Sequence, residues 1–399
     1  MKIPTILSAI LSLILASTAF AQESQNFGWT PNPKATEEFV QTLPAIYGEQ
    51  VKDLIVEDNN KDALLYRALI PCLEKHGAEA WLKERNGKKC VRSYNQGSVG
   101  SCVGNAAACV ASVLNAVEVV IVGEPQEFRA MHSADGMYGI GREAANMLRP
   151  GDGCSGSGMA RGVLNIGTLY CIKYGDVDLT VNTPSRARQY GTRGVGSALK
   201  NEAAKTKITS TVRVRSAQEA WALIGNGYPI NVCSGYGYRK QRDGEGICQP
   251  SGSWNHAMSV VARRTAKDGR KLFLIWNSWG DNWCGGPYWD DMPWGSFWIE
   301  WKHMDGMLSR GDSFAYGGLD GFKARSLEHF GTKDFLGQIE VNHEIKPVTA
   351  GLGSGADRFH AERKPNPFRP ASARTAFSRS GLSFGTGSAK SKITGLLSP

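Results

Sequence analysis

The sequence predicts an α+β fold with a helical half, a sheet-built half and a cleft between them. Three features point there: an alanine-rich helical run after Cys102, a succession of strand-like runs from residue 208 onward, and reactive side chains divided between the two. The stretch Asn95-Gln96-Gly97-Ser98-Val99-Gly100-Ser101 is a glycine-punctuated turn that delivers Cys102 to a run of Ala, Val and Leu reaching Val117. Ser101 stands where an N-cap would, so Cys102 falls near the first helical residue. A thiol there meets the positive end of the helix dipole and unpaired backbone N–H groups, both of which favour the thiolate. Taken alone, the same run also suits a small cysteine buried in a core helix.

The second half supplies the partners. Trp254-Asn255-His256-Ala257-Met258-Ser259-Val260-Val261 reads as a strand, and after a Lys/Asp/Gly turn at 267–270 a second apolar run ends at Asn277-Ser278-Trp279-Gly280. Residues 208–214, 229–232 and 295–300 read as further strands, and Ser216-Ala217-Gln218-Glu219 fits a capping box opening a helix. The chain thus carries a cysteine, a histidine about 150 residues later and an asparagine about 20 beyond it.

In that order and spacing the chain resembles the papain-like cysteine proteases. Gln96 to Cys102 resembles the family's segment from oxyanion glutamine to nucleophile, Asn255-His256-Ala257 its general-base strand, and Asn277-Ser278-Trp279-Gly280 its asparagine–tryptophan segment. The resemblance implies a two-lobe fold, a helical left lobe beside an antiparallel barrel-like right lobe, with the active-site cleft between. It also implies catalytic roles for Gln96, Cys102, His256 and Asn277. Trp279 would shield the His256–Asn277 bond from water. Cys154-Ser155-Gly156-Ser157 resembles the family's Cys-x-Gly-Gly stretch, which implies that Gly156 and Ser157 pair with the substrate backbone. The chain departs from the pattern where Val99 replaces a cysteine, leaving Cys154 without its expected disulfide partner, and where Val103 and Ser157 replace an aromatic residue and a glycine. Each residue taken singly has an ordinary explanation: a core histidine, a turn asparagine, a surface glutamine. Their joint order carries the catalytic reading.

The chain in full sets the limits. Its 399 residues are 41% hydrophobic and 21% charged, an ordinary globular balance. The net charge of +9 is concentrated at the end, where residues 356–399 hold eight basic side chains against two acidic ones. A basic nucleic-acid face on the globular part is not indicated. Lys2, the apolar run 6–16 and Ala19-Phe20-Ala21 make residues 1–21 a secretory signal peptide, and no later stretch is long and apolar enough to read as a membrane span. Export permits disulfides; one catalytic thiol among nine cysteines leaves eight for up to four bridges of unreadable connectivity. No Cys/His spacing suits zinc, and no metal or cofactor is expected.

Four regions result: signal peptide 1–21, a helical N-terminal extension or propeptide 22–87, the catalytic domain 88–343, and a disordered basic Gly/Ser/Pro-rich tail 344–399 that offers an anionic surface a contact. Residues 22–33 read as loose. Phe39, Leu43, Ile46 and Tyr47 share a helical face, as do Leu64, Leu65, Ala68, Leu69 and Cys72, and a short helix is expected at 78–84. The family's longer helical propeptide signature is absent, so propeptide and structural extension stay open. Gly151-x-Gly153-x-x-Gly156 formally matches a dinucleotide fingerprint but lacks a preceding strand. The tryptophans of 283–301 read as core and loop packing, and Arg310-Gly311-Asp312 spells an adhesion tripeptide that carries no weight. The function expected is a secreted cysteine endopeptidase acting on protein or peptide substrates. The alternatives are a non-catalytic binding or structural protein on the same scaffold, and a different Cys/His hydrolase acting on cell-wall peptides.

Overall fold

The computed structural model describes residues 25–58, 61–122, 127–289, 291–318, 320–325 and 327. The signal peptide and the basic tail of the sequence reading lie outside them. In chain order the described elements are β1 (Gln25–Asn26), α1 (Pro33–Val40), α2 (Ala45–Val56), a 3₁₀ turn at Leu65–Ala68, α3 (Leu69–Lys75), β2 (Leu82–Arg85), β3 (Lys88–Val91) and α4 (Cys102–Val117). Then follow α5 (Ala134–Ala144), α6 (Gly156–Asn165), β4 (Lys173–Tyr174), β5 (Val177–Asp178), α7 (Pro184–Arg193), α8 (Ser197–Ala203), β6 (Ser210–Arg213) and α9 (Ala217–Gly225). The rest are β7 (Ile230–Tyr238), β8 (Pro250–Thr265), β9 (Lys271–Trp276), β10 (Ser296–Glu300), α10 (Trp301–Leu308) and β11 (Phe314–Gly317).

Helix and sheet content are thus mixed, with most helices before residue 204 and most strands after 209. The main sheet runs β10-β9-β8-β7-β11-β6, with β1 added in parallel to β8. This sheet is open and does not close into the barrel-like form expected. β8 is its spine, antiparallel to β7 (Ser234 opposite His256) and to β9 (Ser259 opposite Trp276).

Helix α4 is buried along its whole length. Its apolar run is long enough to cross a membrane, but the protein's own core surrounds it. Small residues let neighbours come close: a Cβ on Gly104 would lie 2.7 Å from the Tyr138 Cα of α5, so only glycine permits that helix crossing. On its other side, Ser259 Oγ of β8 donates to the Ala106 carbonyl at 3.1 Å. These contacts fix the N-terminus of α4 against the middle of β8.

The segment from α1 to α3 is built into the same core: Phe39, Leu54, Leu65, Leu69 and Leu73 are buried in one cluster with Val103 and Ala107. The buried Arg67 guanidinium reaches both carboxylate oxygens of Asp291, at 2.7 and 2.9 Å. Two expectations fail here. Ile46 is exposed rather than sharing the face of Phe39, and 82–85 is a strand, not the end of a helix. Asn86 and Gly87 both have positive φ, 52° and 73°, and form a two-residue turn that folds β2 onto β3. The loose N-terminal segment is also a misreading: β1 and the residues after it are ordered, with Trp29 buried.

Candidate active site

The turn before α4 runs beside the segment after β9. Gln96 N–H donates to the Ser278 carbonyl and Gly280 N–H to the Tyr94 carbonyl, both at 2.9 Å, which brings Gln96 and Asn277 to one place. Cys102 is the first residue of α4, as expected. Ser101 occupies the N-cap position, but its hydroxyl takes the Asn105 side-chain amide at 3.1 Å and no helix backbone N–H. The backbone N–H groups of Ala257, Val103 and Cys102 itself lie close enough to the thiol to favour its ionised form. The Ala257 amide belongs to the residue after His256, so the structure places the thiol against the histidine's strand.

His256 Nε2 and Asn277 Oδ1 are 2.7 Å apart, and Asn277 Oδ1 also accepts the Ser278 N–H at 2.7 Å. An amide oxygen can only accept, so Nε2 must carry the proton and Nδ1 holds a free lone pair. Nδ1 is buried and has no hydrogen-bond partner. Trp279 stacks on the imidazole, with centroids 4.5 Å apart at 27°. Gln96 Oε1 accepts from Ser278 Oγ at 2.9 Å, orienting its amide so that Nε2 faces inward. Ser278 is a positioning residue that only its place between Asn277 and Trp279 could have signalled.

What lies in the groove is the chain's own N-terminal segment. Gln25 and Asn26 pair with Trp254 and Asn255 of β8. Phe27 N–H donates to the Asn255 carbonyl at 3.0 Å, and Gln96 Nε2 donates to the Phe27 carbonyl at 2.9 Å. The Phe27 ring packs at 4.6 Å on Trp279, 5.6 Å on His256 and 6.1 Å on Trp254. On the far side Cys154 N–H donates to the Gly28 carbonyl at 2.8 Å, and Thr30 N–H to the Cys154 carbonyl at 2.9 Å. Cys102 and His256 are both 0% exposed beneath this strap. About 370 Å³ of open space remains beside Gly97 and Ser98, lined on one side by Asn26, Phe27 and Gly28 of the strap.

Gly156 and Ser157 stand elsewhere than in the pairing surface. They open α6, and their N–H groups donate to the buried Asp312 carboxylate, both at 2.7 Å. Trp29 Nε1 at 2.8 Å and Thr36 Oγ1 at 2.9 Å complete four bonds to Asp312. Asp312 thus ties the strap to α6 and α1, and its burial rules out display as part of an adhesion tripeptide. The residue that pairs with the occupant's backbone is Cys154. Residue spacing could not have disclosed Asp312, whose partners lie more than 150 positions away.

Burial sets the protonation of the pair. It pushes the Cys102 thiol up to about 12, against the pull of the Ala257 N–H. It pushes His256 down to about 4, against the bond to Asn277. The covered site therefore holds a neutral thiol and a neutral imidazole, not the thiolate expected from the helix terminus alone. None of the nine cysteines is joined in a disulfide in the structure, and among the described residues no cluster of three or more His, Cys, Asp or Glu could hold a metal ion.

No family model and no curated protein matches the chain. Among solved structures it is similar to xylellain, a cysteine protease from Xylella fastidiosa, at 16% identity and a TM-score of 0.46, covering 76% of this chain and 100% of that one. It is also similar to a ragweed pollen cysteine protease in its proform, at 15% identity and a TM-score of 0.41, over 79% of this chain and 89% of that one. A digestive procathepsin L of Tenebrio molitor larval midgut gives 13% identity and a TM-score of 0.36, over 72% and 90%. These structural neighbours are papain-like cysteine proteases, and what carries the function of this chain is its own site.

Proposed function

We propose that the protein is an exported cysteine peptidase whose active site is kept covered by its own N-terminal segment. The observation that carries this is the Phe27 peptide unit lying in the groove over buried Cys102: its carbonyl on the Gln96 amide, its N–H on the Asn255 carbonyl. A backbone held so marks where a substrate peptide would lie, and its acceptor site on Gln96 is where an oxyanion would be stabilised.

The chemistry follows from uncovering the site. Removing the strap readmits water and reverses the desolvation that keeps both groups neutral. The Cys102 proton then passes to the free lone pair of His256 Nδ1, with Nε2–H held on Asn277. The thiolate attacks the substrate carbonyl carbon; the oxyanion is met by Gln96 Nε2 and the Cys102 N–H. The imidazolium returns its proton to the leaving amine, and water, deprotonated by the same histidine, hydrolyses the thioester. Only the residues before α1 act as the cover, since α1 to α3 share the core.

The test compares the full mature chain with one beginning at Asn32 for hydrolysis of denatured protein and for mass-shifting by an epoxysuccinyl inhibitor. The shortened chain is expected to cleave and to gain one adduct on Cys102, with both lost in Cys102→Ala. A folded, shortened chain that neither cleaves nor labels would favour a non-catalytic protein on this scaffold.

A further inference from the structure

Away from the nucleophile, two sulfurs are already in contact: Cys248 Sγ and Cys284 Sγ lie 3.4 Å apart, both buried. Other cysteine sulfurs lie against oxygen or nitrogen, Cys90 against the Lys88 carbonyl, Cys154 against the Ser155 carbonyl, and Cys171 against the His132 carbonyl and Asn182 Nδ2. Each member of the pair is placed by its own scaffold. Cys248 N–H donates to the Trp298 carbonyl at 2.9 Å, pinning it to β10. Cys284 sits in a loop gathered around the buried Arg242 guanidinium, which donates to the carbonyls of Cys284 at 2.8 Å, Ser296 at 2.9 Å and Pro287 at 3.0 Å. Arg242 and Gly285 also bond through their backbones at 3.0 Å. Two independently anchored thiols do not meet by the drift of a loose side chain, and closing to the roughly 2 Å of a disulfide needs little more than 1 Å of movement.

We infer that Cys248 and Cys284 form a disulfide in the exported protein. Two thiols lose two protons and two electrons, and the oxidant is a small-molecule or protein disulfide whose own S–S bond is reduced to two thiols. The bond would fasten the stretch between β9 and β10, which carries Asn277, Trp279 and Trp283, to the loop between β7 and β8. Trp283 packs 5.3 Å from Trp279, which in turn stacks on His256, so the bridge braces the outer wall of the candidate site. The pairing depends on export only for its oxidant, and the experiment separates the two.

The full chain is recovered from an oxidising compartment and, in parallel, equilibrated in vitro with a mixture of reduced and oxidised glutathione. Each sample is denatured without reductant, alkylated and mapped by mass spectrometry. The expected result is a cross-linked peptide pair containing Cys248 and Cys284 in both samples, with Cys102 alkylated. In Cys248→Ser, Cys284 becomes alkylated and the melting temperature falls by roughly 5 °C or more. A cross-link formed only in glutathione would leave the pairing intact and overturn export. Both cysteines alkylated, or joined to other partners, in both samples would overturn the pairing.

Discussion

At the scale of single residues, the proposed chemistry rests on four side chains, because a thiol nucleophile, its base, the base's partner and an oxyanion donor leave little freedom in residue type. Gln96, Cys102, His256 and Asn277 sit in short motifs whose local frames, a helix start and two strand ends, could be read from propensity and turn residues. Protonation could not be read. A helix N-terminus alone favours a thiolate, but complete burial outweighs it and pushes Cys102 up to about 12 and His256 down to about 4. Gln96 offers the sharpest test at this scale. Its amide meets the occupant's carbonyl and is held by Ser278 Oγ. In the uncovered enzyme Gln96→Ala should lower kcat about 10²–10³-fold, about 3–4 kcal/mol, with little change in KM. A loss confined to KM would mean the amide binds substrate without stabilising the oxyanion.

Among the elements, α4, β8 and β9 were legible from their apolar runs, and α9 from the capping box that opens it. The hairpin β2–β3 carried a readable Asn-Gly turn that was overridden by an apparent helical period at 78–84. Strand β11 and helix α10 were not read from the sequence. The strap escaped for a different reason. Its order comes from backbone pairing with Asn255 and Cys154 and from Asp312, all far away in sequence, while its own polar, proline-containing stretch resembles a free end. Gly28 is its weak point. It has φ +118°, and a Cβ there would lie 2.1 Å from the Gly100 carbonyl oxygen. Gly28→Val should therefore lift the strap without shortening the chain, raising hydrolysis of a peptide substrate at least tenfold over the parent. An unchanged rate in a folded variant would show that the strap does not limit access.

Over the whole molecule, the mixed α and β content and the division of reactive groups between α4 and the β8–β9 sheet were readable, whereas closure into a barrel was not borne out: the strand order is open. Residues from α1 onward share the core, and only the strap lies across the candidate site. This division gives the central claim a pH signature. In the covered chain a thiol near 12 should alkylate slowly near neutral pH and faster only toward strong alkali. Once uncovered, with the thiolate paired to His256, it should react from mildly acidic pH upward. The decisive measurement is the rate of Cys102 alkylation against pH, followed by peptide mass mapping, in the full chain and in the chain beginning at Asn32. The account expects the rise to move from the alkaline to the mildly acidic range when the strap is removed, and His256→Ala to send it back. Superimposable alkaline profiles for both folded chains would contradict it.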